Sequence, residues 1–88
     1  MHMRRFHVYW GGRLPSSDSD DRRNEQVVTV GPFREYSEMV DWTIEFTRIV
    51  IGNGNSVNWE EESISDDFDS SLTPEEVWER VKEIRRKS

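Results

Sequence analysis

Apolar residues recur along this chain with two different periods. From Arg5 to Trp10 they alternate, with Phe6, Val8 and Trp10 on one side and His7 and Tyr9 on the other, which is the two-residue period of a β-strand. Glu25 to Val30 predicts a second strand, antiparallel to the first across a long connection, and Gly31-Pro32 then predicts a turn. From Phe33 to about Ile51 the period lengthens: Met39, Trp42, Phe46, Ile49 and Val50 follow at steps of three and four, widened by Tyr36, Val40 and Ile44. This is a long amphipathic helix, closed by the Gly-Asn-Gly-Asn run at 52–55, whose residues tolerate positive φ.

Ser56 to Glu62 returns to alternation with Val57 and Trp59 on the apolar side, and its charged far end marks it as an edge strand. Thr73-Pro74-Glu75-Glu76 is a capping box with Pro at the first helical position, and Leu72 is placed to staple onto Val77. Val77, Trp78, Val81 and Ile84 then form the narrow stripe of a final helix, and Arg85, Arg86 and Lys87 complement its C-terminal dipole. Residues 16–25 predict a mobile acidic loop and residues 63–71 a second acidic loop, in which Ile64 and Phe68 are placed to pin the chain to the core. The expected fold is α+β, in the order β-β-α-β-α. A small three-stranded, mostly antiparallel sheet carries one long amphipathic helix packed across it, with a C-terminal helix beside it or at an edge. Residues 1–88 read as a single domain, small enough that its four Trp, four Phe and two Tyr must supply much of the core.

Charge changes the picture more than composition does. The formal net charge is −6, yet cations concentrate at the two ends, and residues 6–79 hold 17 acidic against 5 basic side chains. Such a field repels nucleic acid and anionic membranes and favours basic partners. On the long helix Glu35, Glu38, Asp41 and Glu45 fall on the solvent face, about 5–6 Å apart and spanning about 15 Å in all. Glu60, Glu61 and Glu62, then Asp66, Asp67 and Asp69, extend the acidic set further along the chain. A solvated helix face explains the same stripe without any function.

Known chemistries are not visible. The two histidines, at a terminus and inside a strand, have no nucleophile motif beside them, and His7 reads as an ordinary strand residue. No paired carboxylates are marked out in a cleft. An EF-hand begun at Asp66 or Asp67 lacks the central Gly and puts Val77 or Trp78 where the bidentate Glu belongs, which leaves at most loose Ca²⁺ or Mg²⁺ association. No phosphate-binding loop or dinucleotide fingerprint occurs. The reading is therefore non-enzymatic, with no cofactor and no metal. With no Cys, no apolar run of membrane-spanning length and no leader-like start, the expected setting is cytoplasmic.

Two resemblances add to this. Val28 to Phe33, VTVGPF, resembles the strand-to-helix junction of SPOR peptidoglycan-binding domains, a likeness that implies glycan binding as a minor alternative. In size, charge and lack of catalytic residues the chain resembles small acidic phage proteins that block host nucleases, including anti-CRISPR proteins. That likeness implies an inhibitor that mimics nucleic-acid phosphates and occupies a basic protein, without contacting nucleic acid or membrane itself. The competing expectation is an adaptor or complex subunit docking through apolar surface, with Trp10, Trp59 or Trp78 at the contact, or a homodimer formed along a strand edge.

Overall fold

The computed structural model describes residues 2–12, 25–62 and 68–87. The elements are β1 (His2–Tyr9), β2 (Glu25–Phe33), α1 (Tyr36–Gly52), β3 (Ser56–Glu62) and α2 (Pro74–Lys87), with a short 3₁₀ turn over Trp10–Gly12. The strands form an antiparallel sheet in the order β2-β1-β3. The fold is the expected α+β arrangement, and β3 lies at an edge.

Alternation along β1 decides which face carries the core. Phe6 and Val8 stand opposite Val28 and Gln26 of β2 and Trp59 and Val57 of β3, and the two helices cover this face. Phe46 of α1 sits 4.7 Å from the Phe6 ring, 5.2 Å from Trp42 and 6.3 Å from Trp78, tying both helices to the centre strand. Offset and edge-on ring packing of this kind adds to the area each ring buries. Beyond the rings the core holds Val28, Val30, Met39, Val50, Val77 and Val81, all buried.

Several boundaries differ from the expected ones. His2 and Met3 belong to β1, and the His2 ring packs edge-on against Tyr36 at 5.5 Å. Trp10 leaves the strand because Gly11 turns at φ 81°, and its ring stacks on Trp78 at 5.1 Å. Gly31-Pro32 is not the turn into the helix. β2 continues to Phe33 through a bulge opposite Met3, with a cis Gly31-Pro32 peptide, so α1 starts only at Tyr36. Glycine is required there by close approach, since a Cβ on Gly31 would lie 2.7 Å from Met3 Cγ. Within α1 the inner stripe is Met39, Trp42, Thr43, Phe46 and Val50, whereas Tyr36 and Ile44 are half exposed. A narrow sheet covers one helical stripe, not the wider sector that the spacing of Tyr36, Val40 and Ile44 predicts.

The acidic loop expected at 16–25 lies outside the described residues except for Glu25, which belongs to β2; that at 63–71 is described only from Phe68. Phe68 packs against the core and bridges Val30, donating its N–H to the Thr29 carbonyl and accepting from Gly31, so it covers part of the outer edge of β2. Ile64 lies outside the described residues.

The capping box is formed. Glu76 N–H donates to Thr73 Oγ1 at 3.1 Å and Thr73 N–H donates to a Glu76 carboxylate oxygen at 3.1 Å. That backbone hydrogen bond from Thr73, aided by its side chain, holds the Glu76 carboxyl below its usual 4.5. Removing the cap with Thr73→Ala should cost about 0.5–2 kcal/mol in denaturant unfolding. Because the folded value is depressed, the Glu76 contribution is present above 4.5 and fades as pH falls through that lower folded value. The stability gap between the wild type and Glu76→Gln should accordingly close in acid, which unfolding curves taken at stepped pH will read.

Candidate functional site

The candidate acidic residues are distributed over two layers of the fold. Glu35 immediately precedes α1, its side chain making no capping bond, and Glu38, Asp41 and Glu45 follow on the exposed side of that helix. Helical spacing makes them lie there: the inner stripe at 39, 42, 43, 46 and 50 turns 38, 41 and 45 outward. Among the described residues Glu35, Glu38 and Asp41 enter no ion pair, and only Glu45 is matched, by Arg48 at 3.1 Å.

The β3 acids behave differently. Glu60 stands opposite Arg5 on the sheet face away from the helices, where its carboxylate lies 3.6 Å from Arg5 and 3.1 Å from His7 Nε2. His7 Nδ1 is 2.8 Å from Glu25 across the β1-β2 pair. One imidazole thus bridges both neighbouring strands. Both contacts are donated together only by the two-donor imidazolium form, since each neutral tautomer leaves one carboxylate without a donor. The arrangement consumes Glu60 as a cross-strand tie and removes it from the α1 surface.

Glu61 is exposed and projects from the helix-facing side of β3, opposite Arg4. Glu62 stands at the far end of β3, opposite Met3. Asp69 is exposed, and its carboxylate accepts the Ser71 N–H at 2.7 Å, a bond that lowers its pKa and assigns it to a turn. Asp66 and Asp67 lie outside the described residues. The structure therefore groups Glu35, Glu38, Asp41 and Glu45 and places Glu60 on the opposite side of the sheet.

α2 supplies an internal comparison. Whereas Glu75 and Glu76 of its first turn enter no ion pair among the described residues, its later acids are paired, Glu79 lying 2.9 Å from Lys82 and Glu83 3.1 Å from Lys87. This is the usual pattern of a solvated helix, in which opposite charges three or four residues apart offset one another. In α1 no such pair forms at Glu38 or Asp41 among the described residues, and the first is Glu45 with Arg48.

No known family, curated protein or solved structure matches this chain. Among the described residues no group of three His, Asp or Glu side chains is placed to hold a metal ion, and no helix is long and apolar enough to cross a membrane. Of the three tryptophans considered as contacts, Trp78 is buried in the core with Trp10 stacked on it, whereas Trp59 is 46% exposed.

The sequence reading missed Arg4. It occupies the apolar side of β1, two residues before Phe6, and is only 6% exposed. A cation at a position dictated by period-two alternation is the signal that marks it. Thr43, buried beside it, is likewise visible as the residue four after Met39 and three before Phe46.

Proposed function

We propose that this protein is a non-enzymatic acidic inhibitor that docks α1 into a cationic surface on a nucleic-acid-binding protein, its carboxylates standing where backbone phosphates would. One observation carries the reading: Glu35, just before α1, and Glu38 and Asp41 on its exposed side succeed one another with no cation within ion-pair distance among the described residues. Like charges at this spacing repel one another and destabilise an isolated helix, and among the described residues no cation offsets that repulsion at Glu38 and Asp41. A rigid helix packed on a sheet by Trp42 and Phe46 is a suitable carrier, because the charges are held in position before binding. Glu45 extends the row, and Arg48 bounds it. Phage-type anti-defence proteins are one setting in which such an inhibitor is used, and the partner is a basic protein, not nucleic acid.

The test is recovery of a partner from host lysate at low salt, followed by competition. Binding should weaken about tenfold or more between about 50 and 200 mM salt, and duplex DNA should displace the protein from its partner. A partner held equally well across that range and indifferent to DNA overturns the phosphate-mimic reading and transfers the contact to apolar surface such as Trp59.

A further inference from the structure

Between α1 and the β3 edge lies a largely apolar groove of about 270 Å³, lined by Val40, Ile44, Thr47 and Trp59 together with Arg4 and Thr43, and by the exposed Arg48, whose guanidinium is paired with Glu45. Arg4 is more than nine-tenths buried, and no carboxylate lies within ion-pair distance of it among the described residues. Its Nη1 donates to Thr43 Oγ1 at 3.2 Å, and its guanidinium carbon lies 5.9 Å from the centre of the Trp59 ring. That hydroxyl in turn donates to the Met39 carbonyl at 2.7 Å. Arg4 Nε is shielded from solvent with no hydrogen-bond partner, and so is Thr47 Oγ1 on the groove wall.

Removing a guanidinium from water without an anion is costly, and one neutral hydroxyl and one ring face do not replace its hydration. Glu61, the residue opposite Arg4 on β3, is exposed and forms no pair with it. Departures from the rules of stability of this kind concentrate where a fold binds something. Arg4 and Thr47, which carry the unmet donor and the unmet hydroxyl just beneath the surface, both line this one groove.

We infer that this groove binds a small amphipathic carboxylate, its anionic head on Arg4 and Thr47 and its apolar body along Val40, Ile44 and Trp59. A planar guanidinium fork suits a carboxylate, and the walls exclude a fully hydrated inorganic anion. The volume falls just below the roughly 300–1,000 Å³ of pockets for drug-sized ligands, which limits the occupant to a short aliphatic or aryl chain. The site adjoins the acidic row of α1 at the Glu45–Arg48 pair but does not include Glu35, Glu38 or Asp41.

Octanoate is the probe, titrated into the ¹⁵N-labelled protein with 1-octanol as its neutral counterpart. Octanoate should bind with a Kd of the order of 1 mM. Its shifts should centre on Thr43, Thr47 and the Trp59 indole. 1-Octanol should bind about tenfold more weakly or worse, since it lacks the charge-assisted contact. Arg4→Met should keep or raise the thermal midpoint, because it removes a buried cation that no carboxylate pairs among the described residues, while weakening octanoate about tenfold. A residue whose role is only structural would do the reverse. Ile44→Glu, on the exposed wall, should abolish octanoate binding in a folded protein and carries the test should Arg4→Met fail to fold. Equal binding of octanoate and 1-octanol, shifts scattered over the surface, or undiminished octanoate binding in either folded variant overturns the inference.

Discussion

Phe46→Ala should remove most of the stability of this protein. Phe46 is fully buried and is the ring through which β1, α1 and α2 meet, contacting Phe6, Trp42 and Trp78. Truncating such a ring costs about 3–5 kcal/mol once the cavity is included. A domain of 88 residues has about 4–13 kcal/mol to lose. The thermal midpoint should fall by about 12 °C or more. Ile44→Ala, on the same helix but half exposed, should cost well under half as much. Thermal unfolding followed by circular dichroism checks both, and similar losses in the two variants would contradict the assignment of the inner stripe.

The second large effect concerns binding. Glu38→Lys combined with Asp41→Lys replaces two exposed carboxylates, unpaired among the described residues, by cations at the centre of the proposed docking surface. Close charge pairs across an interface are coupled by about 1.5 kcal/mol or more each, so the pair should weaken the complex at least about a hundredfold at low salt. Folding should be preserved, because both side chains lie on solvent and relieving the repulsion along the helix offsets lost charge near its N-terminus. Affinity measured by calorimetry, together with an unchanged thermal midpoint, separates lost docking from lost structure.

The fold was largely legible because its signals are local and repeat. The alternation at Phe6 and Val8, the three-and-four steps from Met39 to Val50 and the Thr73–Glu76 box each name an element through its own residues. What stayed hidden depends on contacts distant in sequence. The pairing of His2 and Met3 is set by the bulge in β2 at Gly31 and Pro32, and nothing in the first residues announces a strand. The half-exposure of Tyr36 and Ile44 follows from the width of a three-stranded sheet, not from the helix itself.

The site divides in the same way. Spacing alone puts Glu38, Asp41 and Glu45 on one exposed surface. Whether an acid is already neutralised depends on strand order, and only the sequence β2-β1-β3 brings Glu25, His7 and Glu60 side by side and withdraws Glu60 from the acidic row. Arg4 is the converse case. Its place on the apolar side of β1 is readable, but the groove that makes it chemically unusual needs α1 and β3 together.

The most direct measurement compares two variants of equal net charge against the recovered partner. One is the α1 pair, Glu38→Lys with Asp41→Lys; the other is an α2 pair, Glu79→Lys with Glu83→Lys, whose parent residues already have cationic neighbours. If the row of carboxylates exposed along α1 is what docks, the α1 pair loses affinity about a hundredfold and the α2 pair stays within about threefold of the wild type. Equal losses in the two would show that only total charge matters, and the docking surface on α1 would have to be abandoned.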